Sequence, residues 1–167
     1  MALSFAPVDW PTDAEVVIDF LVGNEWPFHG TARLTRQQAA TVAVSNEDVT
    51  SFWVRSEGHT VGLLRAFDLS DLASGSPLID IRIVEDQRGK GIGTASVRWL
   101  TSHLLETYPE LHRIEATTRH DNLAMQAAFA TCGYREEGRL IEAWVSADGT
   151  RSDTLIFAIL RREWAPS

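Results

Sequence analysis

One stretch of the chain, residues 78–99, limits the possible fold more than any other. It has the sequence LIDIRIVEDQRGKGIGTASVRW, and its first part is apolar and rich in β-branched residues, which is typical of a β-strand. The run from Arg88 to Gly93 contains three glycines, and apolar residues at the spacing of one helical face follow it. The pattern therefore predicts a strand, a glycine-rich turn and a helix, in that order.

A glycine-rich turn in front of a helix offers a binding place for an anion. The first turn of a helix has backbone N–H groups without intrahelical partners and the positive end of the helix dipole, and glycines let a ligand approach closely. Gly89, Gly91 and Gly93 fit neither the spacing of the nucleotide P-loop nor that of the dinucleotide fingerprint. We therefore expect a shorter phosphate-binding turn of another kind.

Composition limits the class of protein. A chain of 167 residues with 44% hydrophobic and 23% charged residues is typical of a globular protein of one domain, and we expect a single domain over residues 1–167. The net charge of -8 argues against nucleic-acid binding, which needs clustered Lys and Arg. An acidic chain instead suits a cationic or amine-bearing acceptor.

The cysteine, histidine and hydropathy patterns exclude other classes. Cys132 is the only cysteine, which excludes a disulfide within the chain and favours a reducing compartment. The sequence has no apolar segment of membrane-spanning length, and no basic region followed by an apolar run at its start. We expect a cytoplasmic protein without a membrane partner. The five histidines lack the spacing of metal ligands, so we expect no metal site.

Local signals predict the other strands and helices. Thr12 with Glu15, and Thr35 with Gln38, form capping-box patterns that predict the starts of two helices. The remaining predicted elements are a first strand within Leu3 to Val8, a hairpin of residues 52–55 and 61–64, a strand over Arg113 to Thr118, a helix beginning at Asp121 or Asn122 and ending at Gly133, and a closing hairpin around Asp148-Gly149.

The loop between the first two helices, residues 24–30, is rich in aromatic side chains. It contains Trp26, Phe28 and His29 next to a proline and a glycine. Two interpretations are open, because such a loop either covers the core as a lid or forms the wall of an acceptor pocket. We expect Trp26, Phe28 and His29 to be candidate substrate-binding residues.

The glycine turn resembles the acyl-CoA pyrophosphate loop of the GCN5-related N-acetyltransferase (GNAT) superfamily. The resemblance rests on Arg88-x-x-Gly91-x-Gly93 directly after a strand. In that family, the connection between the first two helices borders the acceptor site. The resemblance therefore favours the pocket-wall interpretation of the aromatic loop.

Later landmarks extend the resemblance. Asn122, the helix after it and Gly133-Tyr134 resemble the family's order of an asparagine, a helix and a glycine followed by an aromatic residue. Residues 136–164 are similar to the RimJ/RimL-like branch, which acetylates ribosomal-protein N-termini. Altogether the resemblance covers residues 50–164. Several landmarks in the right order are more specific than a glycine turn alone.

The resemblance implies both a fold and an activity. The fold is a single mixed α/β (α+β) domain of the acyl-CoA N-acyltransferase type, with a central, mostly antiparallel sheet of about seven strands and about four flanking helices. The activity is transfer of an acetyl group from acetyl-CoA, the co-substrate, to a primary amine by direct attack in a ternary complex. The acceptor is a protein N-terminus, a small-molecule amine or a lysine side chain. A homodimer is possible, as in several relatives.

The acyl-CoA site is expected to take residues from the strand, the turn and the helix after the landmark asparagine. In the family, the backbone of the strand also pairs with the pantetheine arm. Asn122 matches the cofactor-contacting asparagine of the family, and it is also a plain helix-cap candidate. The expected cofactor-binding residues are Ile81, Arg82, Ile83, Arg88, Gly89, Lys90, Gly91, Ile92, Gly93, Thr94, Asn122 and Phe129.

The chain departs from its relatives at the positions of the catalytic base and acid. Some members have a glutamate five residues before the landmark asparagine and a tyrosine seven residues after it, where this chain has Thr117 and Phe129. A phenylalanine cannot give a proton to the departing thiolate. This departure supports the alternative that the chain is a catalytically degenerate CoA-binding module.

Two carboxylates are candidate catalytic residues. Glu115 lies on the same strand face as Thr117 and could act through a bridging water, or it could pair with Arg113 or Arg82. Asp80 interrupts an apolar strand, where a buried carboxylate needs a reason, and the alternative to a catalytic role is that it pairs with Arg82 at a strand irregularity. Direct attack with a water relaying the proton requires neither residue as a dedicated acid.

Overall fold

The structure, a computed structural model, describes residues 2–73 and 75–165. Within these ranges the chain forms one seven-stranded sheet, four α-helices and two short 3₁₀ turns. The strands are β1 (Leu3–Pro7), β2 (Val49–Ser56), β3 (His59–Phe67), β4 (Leu78–Ile83), β5 (Arg113–Arg119), β6 (Arg135–Val145) and β7 (Arg151–Leu160). The helices are α1 (Ala14–Val22), α2 (Arg36–Val42), α3 (Ile92–Thr107) and α4 (Leu123–Thr131), and the 3₁₀ turns are Glu85–Gln87 and Arg161–Glu163.

The sheet has the strand order β1-β2-β3-β4-β5-β7-β6. Every neighbouring pair is antiparallel except β4 and β5, which are parallel and are paired in register only at Leu78 and Glu115. The two strands therefore separate towards their carboxyl ends, and a gap opens in the middle of the sheet. This architecture confirms the predicted mixed, mostly antiparallel fold.

Two apolar clusters cover the two faces of the sheet. Alternate residues of a strand point to opposite faces, so Leu64 of β3 packs with α3 and Leu63 packs with α1 and α2. The buried residues of α3 include Val97, Leu100 and Leu104, which is the helical stripe that the sequence predicts. The helices therefore sit on both faces and leave the separated ends of β4 and β5 open between them.

The helix starts show where local signals succeed and where they fail. The Thr35 box is confirmed, because the Thr35 hydroxyl accepts from the Gln38 N–H and the Gln38 side chain accepts from the Thr35 N–H. The Thr12 box is wrong, since α1 begins one residue later with Asp13 as its N-cap residue. The Asp13 carboxylate makes no cap bond, and its Oδ2 instead accepts the indole N–H of Trp53, at 2.9 Å, and the backbone N–H of Asp9, at 3.1 Å.

The closing hairpin forms around Asp148-Gly149 as predicted, with Gly149 at φ +84°, and both of its strands begin earlier than the sequence indicates. Asn122 caps α4, which agrees with the predicted start. In the part of the chain that the structure describes, no helix combines the length and the apolar character that a bilayer crossing requires.

Candidate active site

The glycine turn presents a run of free backbone donors. The N–H groups of six consecutive residues, Gly89 to Thr94, have no hydrogen-bond acceptor in the described ranges. Helix α3 begins directly after Gly91, and the φ angles of Gly89 and Gly91 are +74° and +80°. Because L-residues adopt this region at a cost, glycine is required at both positions for the turn to form.

The space in front of this turn is open. A Cβ atom added at Gly89 or Gly91 would meet nothing within 4 Å, and one added at Gly93 would meet only the Met125 sulfur, at 3.9 Å. Unpaired N–H groups at a helix N-terminus, together with the helix dipole, attract a negatively charged group. The turn therefore presents its free donors to open space that a negatively charged group can enter.

The edge of β4 facing β5 continues this site. The Pro77 carbonyl accepts from the Glu115 N–H at 2.9 Å, and alternate residues beyond it direct their backbone groups towards β5. The backbone groups of Ile81 and Ile83 therefore face the gap between the strands, whereas those of Arg82 point towards β3, as the Val84 N–H does when it donates to the Val61 carbonyl. The gap exposes backbone groups that an extended ligand can pair with.

Two adjoining cavities occupy this region. The cradle cavity, of about 240 Å³, lies against the glycine turn, and the inner cavity, of about 280 Å³, lies over the face of β3, β4 and β5. Phe28, His29, Ile81, Arg82, Asn122 and Met125 line both cavities. The two cavities therefore adjoin along this shared wall and are together called the cleft, which offers one space for a cofactor and a second space for another substrate.

Most of the expected cofactor residues come together at the cradle cavity. Lys90 is exposed and bonds Gln87, the Ile92 side chain is buried in the core, and Phe129 lines the inner cavity. Ile92 still contributes its backbone N–H to the free run. The nine expected residues that line the cradle cavity are Ile81, Arg82, Ile83, Arg88, Gly89, Gly91, Gly93, Thr94 and Asn122.

Asn122 caps its helix. Its side-chain oxygen accepts from the Met125 N–H at 3.4 Å, and its Nδ2 donates to the Thr118 hydroxyl at 3.0 Å. The cap interpretation is therefore confirmed. Contact with a cofactor stays a prediction, which the position of Asn122 in both cavity walls supports.

Two arginines fix the aromatic loop over the cleft. Arg88, in the glycine turn, donates to the Glu25 carbonyl at 2.5 Å, and Arg119, at the end of β5, donates to the Pro27 carbonyl at 3.3 Å. The Arg119 guanidinium also lies 5.0 Å from the centre of the Phe28 ring. The loop is therefore tied to both the anion-binding turn and the separated strands.

Trp26 packs in the core and also lines one of the two cavities. Only 1% of its surface is exposed, its indole N–H donates to the Leu21 carbonyl at 2.8 Å, and it packs in the cluster beneath α1 and α2. One edge lines the cradle cavity, but Trp26 does not line the inner cavity. The two interpretations of the loop therefore apply to different residues: Trp26 is mainly a lid on the core, and Phe28 and His29 are walls of the inner cavity.

The inner cavity contains a histidine–carboxylate pair. His29 Nε2 lies 2.8 Å from Asp80 Oδ1, and Arg82 Nε donates to Asp80 Oδ2 at 3.1 Å. An ionised carboxylate only accepts hydrogen bonds, so Nε2 carries the proton of the neutral ring and Nδ1 carries the lone pair. His29 Nδ1 is buried and has no partner in the described ranges. This arrangement suits a proton acceptor.

The groups around Asp80 keep its carboxylate ionised. Burial alone would raise the pKa of Asp80, but the charges of Arg82 and His29, the hydrogen bond from His29 and the charge of Arg65 outweigh it and hold this pKa well below its ordinary value. Asp80 is therefore ionised at neutral pH and is itself a poor base. It can orient His29 and stabilise the positive charge that the ring gains with a proton.

Arg65 and Trp144 also line the inner cavity, and neither residue is among the site residues predicted from the sequence. Arg65 lies opposite Asp80 on β3, with 7% of its surface exposed, and makes no hydrogen bond to any described residue. Burial lowers the pKa of Arg65, as does the charge of Arg82, whereas the charge of Asp80 raises it. A charged residue in an apolar strand is the same signal that identifies Asp80, and it could have revealed Arg65.

Glu115 is the expected catalytic residue that the structure does not bring to the cleft. Its carboxylate accepts from Arg113 Nε at 2.8 Å, which is the ion pair that the sequence left open as an alternative, and it lines neither cavity. It lies at the end of β5 where the parallel strands meet. Its catalytic role stays a prediction, with no support from this position.

Among the described residues, the cleft has no tyrosine or cysteine that could donate a proton to the thiolate. The Phe129 ring packs against Tyr134 and Phe157. The Tyr134 hydroxyl is paired with Thr101, at 2.8 Å, and burial raises the pKa of both Tyr134 and the Cys132 thiol. The turn and the dipole of α3 are the features that can ease departure of an anion.

A family model described as "Acetyltransferase (GNAT) family" matches residues 13–134, which is more than half of the chain. The chain belongs to this family. Its membership confirms the predicted superfamily and the enzyme class, an N-acetyltransferase that uses acetyl-CoA as its co-substrate. No curated protein sequence matches this GNAT chain significantly.

Solved structures agree with the GNAT fold. RimJ of Mycobacterium smegmatis, in complex with CoA-disulfide, is 26% identical over 96% of this chain and 83% of its own, with a TM-score of 0.75. RimL, a ribosomal alpha-N-protein acetyltransferase in complex with coenzyme A, is 16% identical over 96% and 94%, with a TM-score of 0.81. Spermidine N-acetyltransferase from Vibrio cholerae, in complex with CoA and spermine, is 18% identical over 96% of each chain, with a TM-score of 0.76. The last two, below 25% identity, support the fold alone.

Proposed function

We propose that this protein transfers an acetyl group from acetyl-CoA to a primary amine by direct attack within a ternary complex. The observation that carries the proposal is the run of six free backbone N–H groups from Gly89 to Thr94, which opens on a cleft between separated strands. The diphosphate of CoA binds at the turn, and the pantetheine arm pairs with the free edge of β4 at Ile81. This placement leads the thioester to the junction of the two cavities.

His29 receives the proton in the proposed reaction. The amine nitrogen attacks the thioester carbonyl carbon, a carbon–nitrogen bond forms, and the carbon–sulfur bond breaks with its electron pair on sulfur. The proton lost by the amine goes to Nδ1 of His29, directly or through one water, and Asp80 holds the ring as a positioning residue. The thiolate leaves near the positive end of α3 and takes a proton from solvent.

The acceptor is a protein N-terminus or a small-molecule amine in this proposal. The similarity to RimJ, at 26% identity, supports the first. The inner cavity, of about 280 Å³, suits a small molecule or the first residues of a peptide. A lysine side chain is the remaining acceptor class.

A catalytically degenerate CoA-binding module is the second candidate function. The absence of any tyrosine or cysteine from the walls of both cavities favours it. The two candidates differ in turnover and agree in cofactor binding.

Two measurements on the intact chain test the proposal. Isothermal titration should show acetyl-CoA binding with micromolar or tighter affinity, and CoA release should be measured with a panel of amines, amino acids and N-terminal peptides. Binding with release of CoA by at least one acceptor is the expected result. Binding without release across the panel would support the module, and the absence of binding by folded protein would overturn both candidates.

A homodimer and a cytoplasmic location stay predictions. Leu140, Ile141 and Val145 on the edge strand β6 are exposed apolar residues, which is the kind of surface that a second copy could cover. The one cysteine, Cys132, is free and buried, which is compatible with a reducing compartment. Analytical ultracentrifugation and fractionation of cells test these two predictions.

A further inference from the structure

The inner cavity carries hydrogen-bond donors that the protein leaves unpaired. Arg65 Nε, Arg82 Nη1 and Trp144 Nε1 are buried atoms without a hydrogen-bond partner in the described ranges. All three residues line this cavity, and Arg65 and Arg82 each expose only 7% of their surface. A buried donor without an acceptor destabilises the folded protein, because it gives up its hydrogen bonds to water. Such a set indicates that an acceptor group on a ligand completes the cavity.

The charge of the cavity agrees with an anionic ligand group. Its charged walls are Arg65 and Arg82 against one carboxylate, Asp80. Both Asp80 oxygens are already engaged, one by His29 and the other by Arg82, and Arg65 has only the face of the Phe67 ring, at 4.4 Å, as a cation–π partner. A positively charged cavity in a chain of net charge -8 reverses the expectation, drawn from composition, of a cationic acceptor.

We propose that the acceptor carries a carboxylate in addition to its primary amine, and that Arg65, Arg82 and Trp144 bind this carboxylate. A carboxylate accepts hydrogen bonds at two oxygens and donates none, so it matches three free N–H donors, two of them on planar guanidinium groups. The inference rests on the proposed function, because it names the acceptor of the same site. A polyamine, which brings only positive charge, is rejected by the arginines.

The rest of the cavity wall indicates the body of the acceptor. Phe28, Phe67, Leu78 and Phe129 present apolar surface to the cavity, which favours an acceptor with an apolar or aromatic portion. The carboxylate can come from two sources. One is the α-carboxylate of a small amino acid, and the other is an acidic side chain next to the N-terminus of a peptide.

Matched acceptor pairs test the proposal by turnover. CoA release is measured with phenylalanine against phenylalanine amide, with the peptide Phe-Asp-Ala-Ala against Phe-Asn-Ala-Ala as C-terminal amides, and with spermidine. We expect kcat/KM to be at least about tenfold higher for the carboxylate member of one pair, and that pair identifies the source. Equal rates within both pairs, or a preference for spermidine, would overturn the proposal.

Binding provides a second test that needs no turnover. The CoA-bound protein is titrated with the N-acetylated forms of the same four compounds, which cannot react further. We expect at least about tenfold tighter binding of a carboxylate member, loss of that preference in Arg65→Gln, and partial recovery in Arg65→Lys. Arg55→Gln, a change at an exposed arginine of β2, is the matched control and should keep the preference.

These two tests separate failure of the inference from failure of the proposed function. Release of CoA by acceptors without any carboxylate preference overturns the inference and leaves the acetyltransferase function standing. A preference in binding without release by any acceptor leaves the carboxylate site standing and removes the function. Since the wild-type comparison within each pair needs no variant, poor folding of Arg65→Gln would not prevent the decision.

Discussion

His29 and Asp80, which are 51 positions apart in sequence, are joined by a 2.8 Å contact between Nε2 and Oδ1. The contact connects the loop between α1 and α2 to the middle of β4. It places the loop's histidine at the junction of the cradle cavity and the inner cavity. The chemistry we propose depends on this pair, because the carboxylate fixes the proton on Nε2 and leaves Nδ1 free to receive another.

Replacing His29 by Gln should slow turnover without weakening the binding of acetyl-CoA. We expect kcat to fall about 100-fold, the size that general-base catalysis usually contributes, while the Kd for acetyl-CoA stays within about twofold. The loss should shrink at high pH, where a larger fraction of the amine is already neutral. CoA release measured against pH checks this. The exposed His59→Gln variant is the control, and an unchanged kcat in His29→Gln would remove His29 from the reaction.

Replacing Asp80 by Asn should reduce stability in a pH-dependent way. Removing one partner of a buried ion pair costs about 3 kcal/mol, and we expect a loss of this size at pH 7. Because the folded pKa of Asp80 lies below its ordinary value, the wild-type advantage is present above the unfolded pKa and is lost as the pH falls through the folded one. Urea unfolding of both proteins between pH 8 and pH 3 checks this, and a difference that grows below about pH 4 would contradict it.

A glutamate at position 93 should abolish cofactor binding. Gly93 has no positive φ, so Gly93→Glu adds charge without the backbone strain expected at Gly91. We expect the Kd for CoA to rise at least about 100-fold, since the carboxylate would stand beside the diphosphate at the helix N-terminus. Val16→Glu places the same charge at an exposed position in the first turns of α1 and is the control. Calorimetric affinities that agree in both variants would contradict the turn as the diphosphate site.

Changes at Trp26 should affect stability before they affect acceptor binding. We expect Trp26→Ala to lower the free energy of unfolding by about 3–5 kcal/mol, because it removes a buried side chain of this size. Trp26→Phe keeps most of the packing and loses the hydrogen bond to the Leu21 carbonyl, which costs about 1 kcal/mol. Chemical denaturation gives both values. A stable Trp26→Ala variant with a raised KM for the acceptor would show that the pocket-wall role dominates.

Glu115→Gln should leave turnover close to the wild-type value. The carboxylate is paired with Arg113 and lines neither cavity, so we expect kcat/KM to stay within about twofold and stability to change by less than about 1 kcal/mol. Steady-state kinetics at pH 7 and pH 9 check this. A fall in rate at pH 7 that disappears at pH 9 would restore Glu115 as the base.

The anion-binding turn could be predicted because all of its signals are local. The strand, the glycines and the start of α3 are contiguous, and the backbone that carries the donors has the same chemistry whatever surrounds it. The Thr35 box is local in the same way. The Thr12 box is wrong, since Asp13 is the N-cap residue of α1. The Asp13 carboxylate accepts from the nearby Asp9 N–H and from the indole of Trp53, and a window of a few residues does not contain Trp53.

The inner cavity could be predicted only in part. The pairing of Asp80 with Arg82 lies within two residues and was open to sequence reasoning, whereas the partner His29 depends on how the loop folds over β4. Trp144 reaches the cavity because the register of β6 shifts after Leu140 and Glu142 adopts a φ of +52°. No pattern in the local sequence predicts such a bulge. The three donors of the cavity, on Arg65, Arg82 and Trp144, are therefore recognised as a set only in the structure.

The parallel pair of strands at the centre of the sheet has a consequence for stability. Joined only at Leu78 and Glu115, β4 and β5 divide the sheet into ladders of four and three strands. A ligand that pairs with the free backbone of both strands would bridge this gap, and any ligand bound only by the native state raises its resistance to unfolding by mass action. We therefore expect the resistance of this protein to unfolding to increase with the concentration of the ligand that fills this gap.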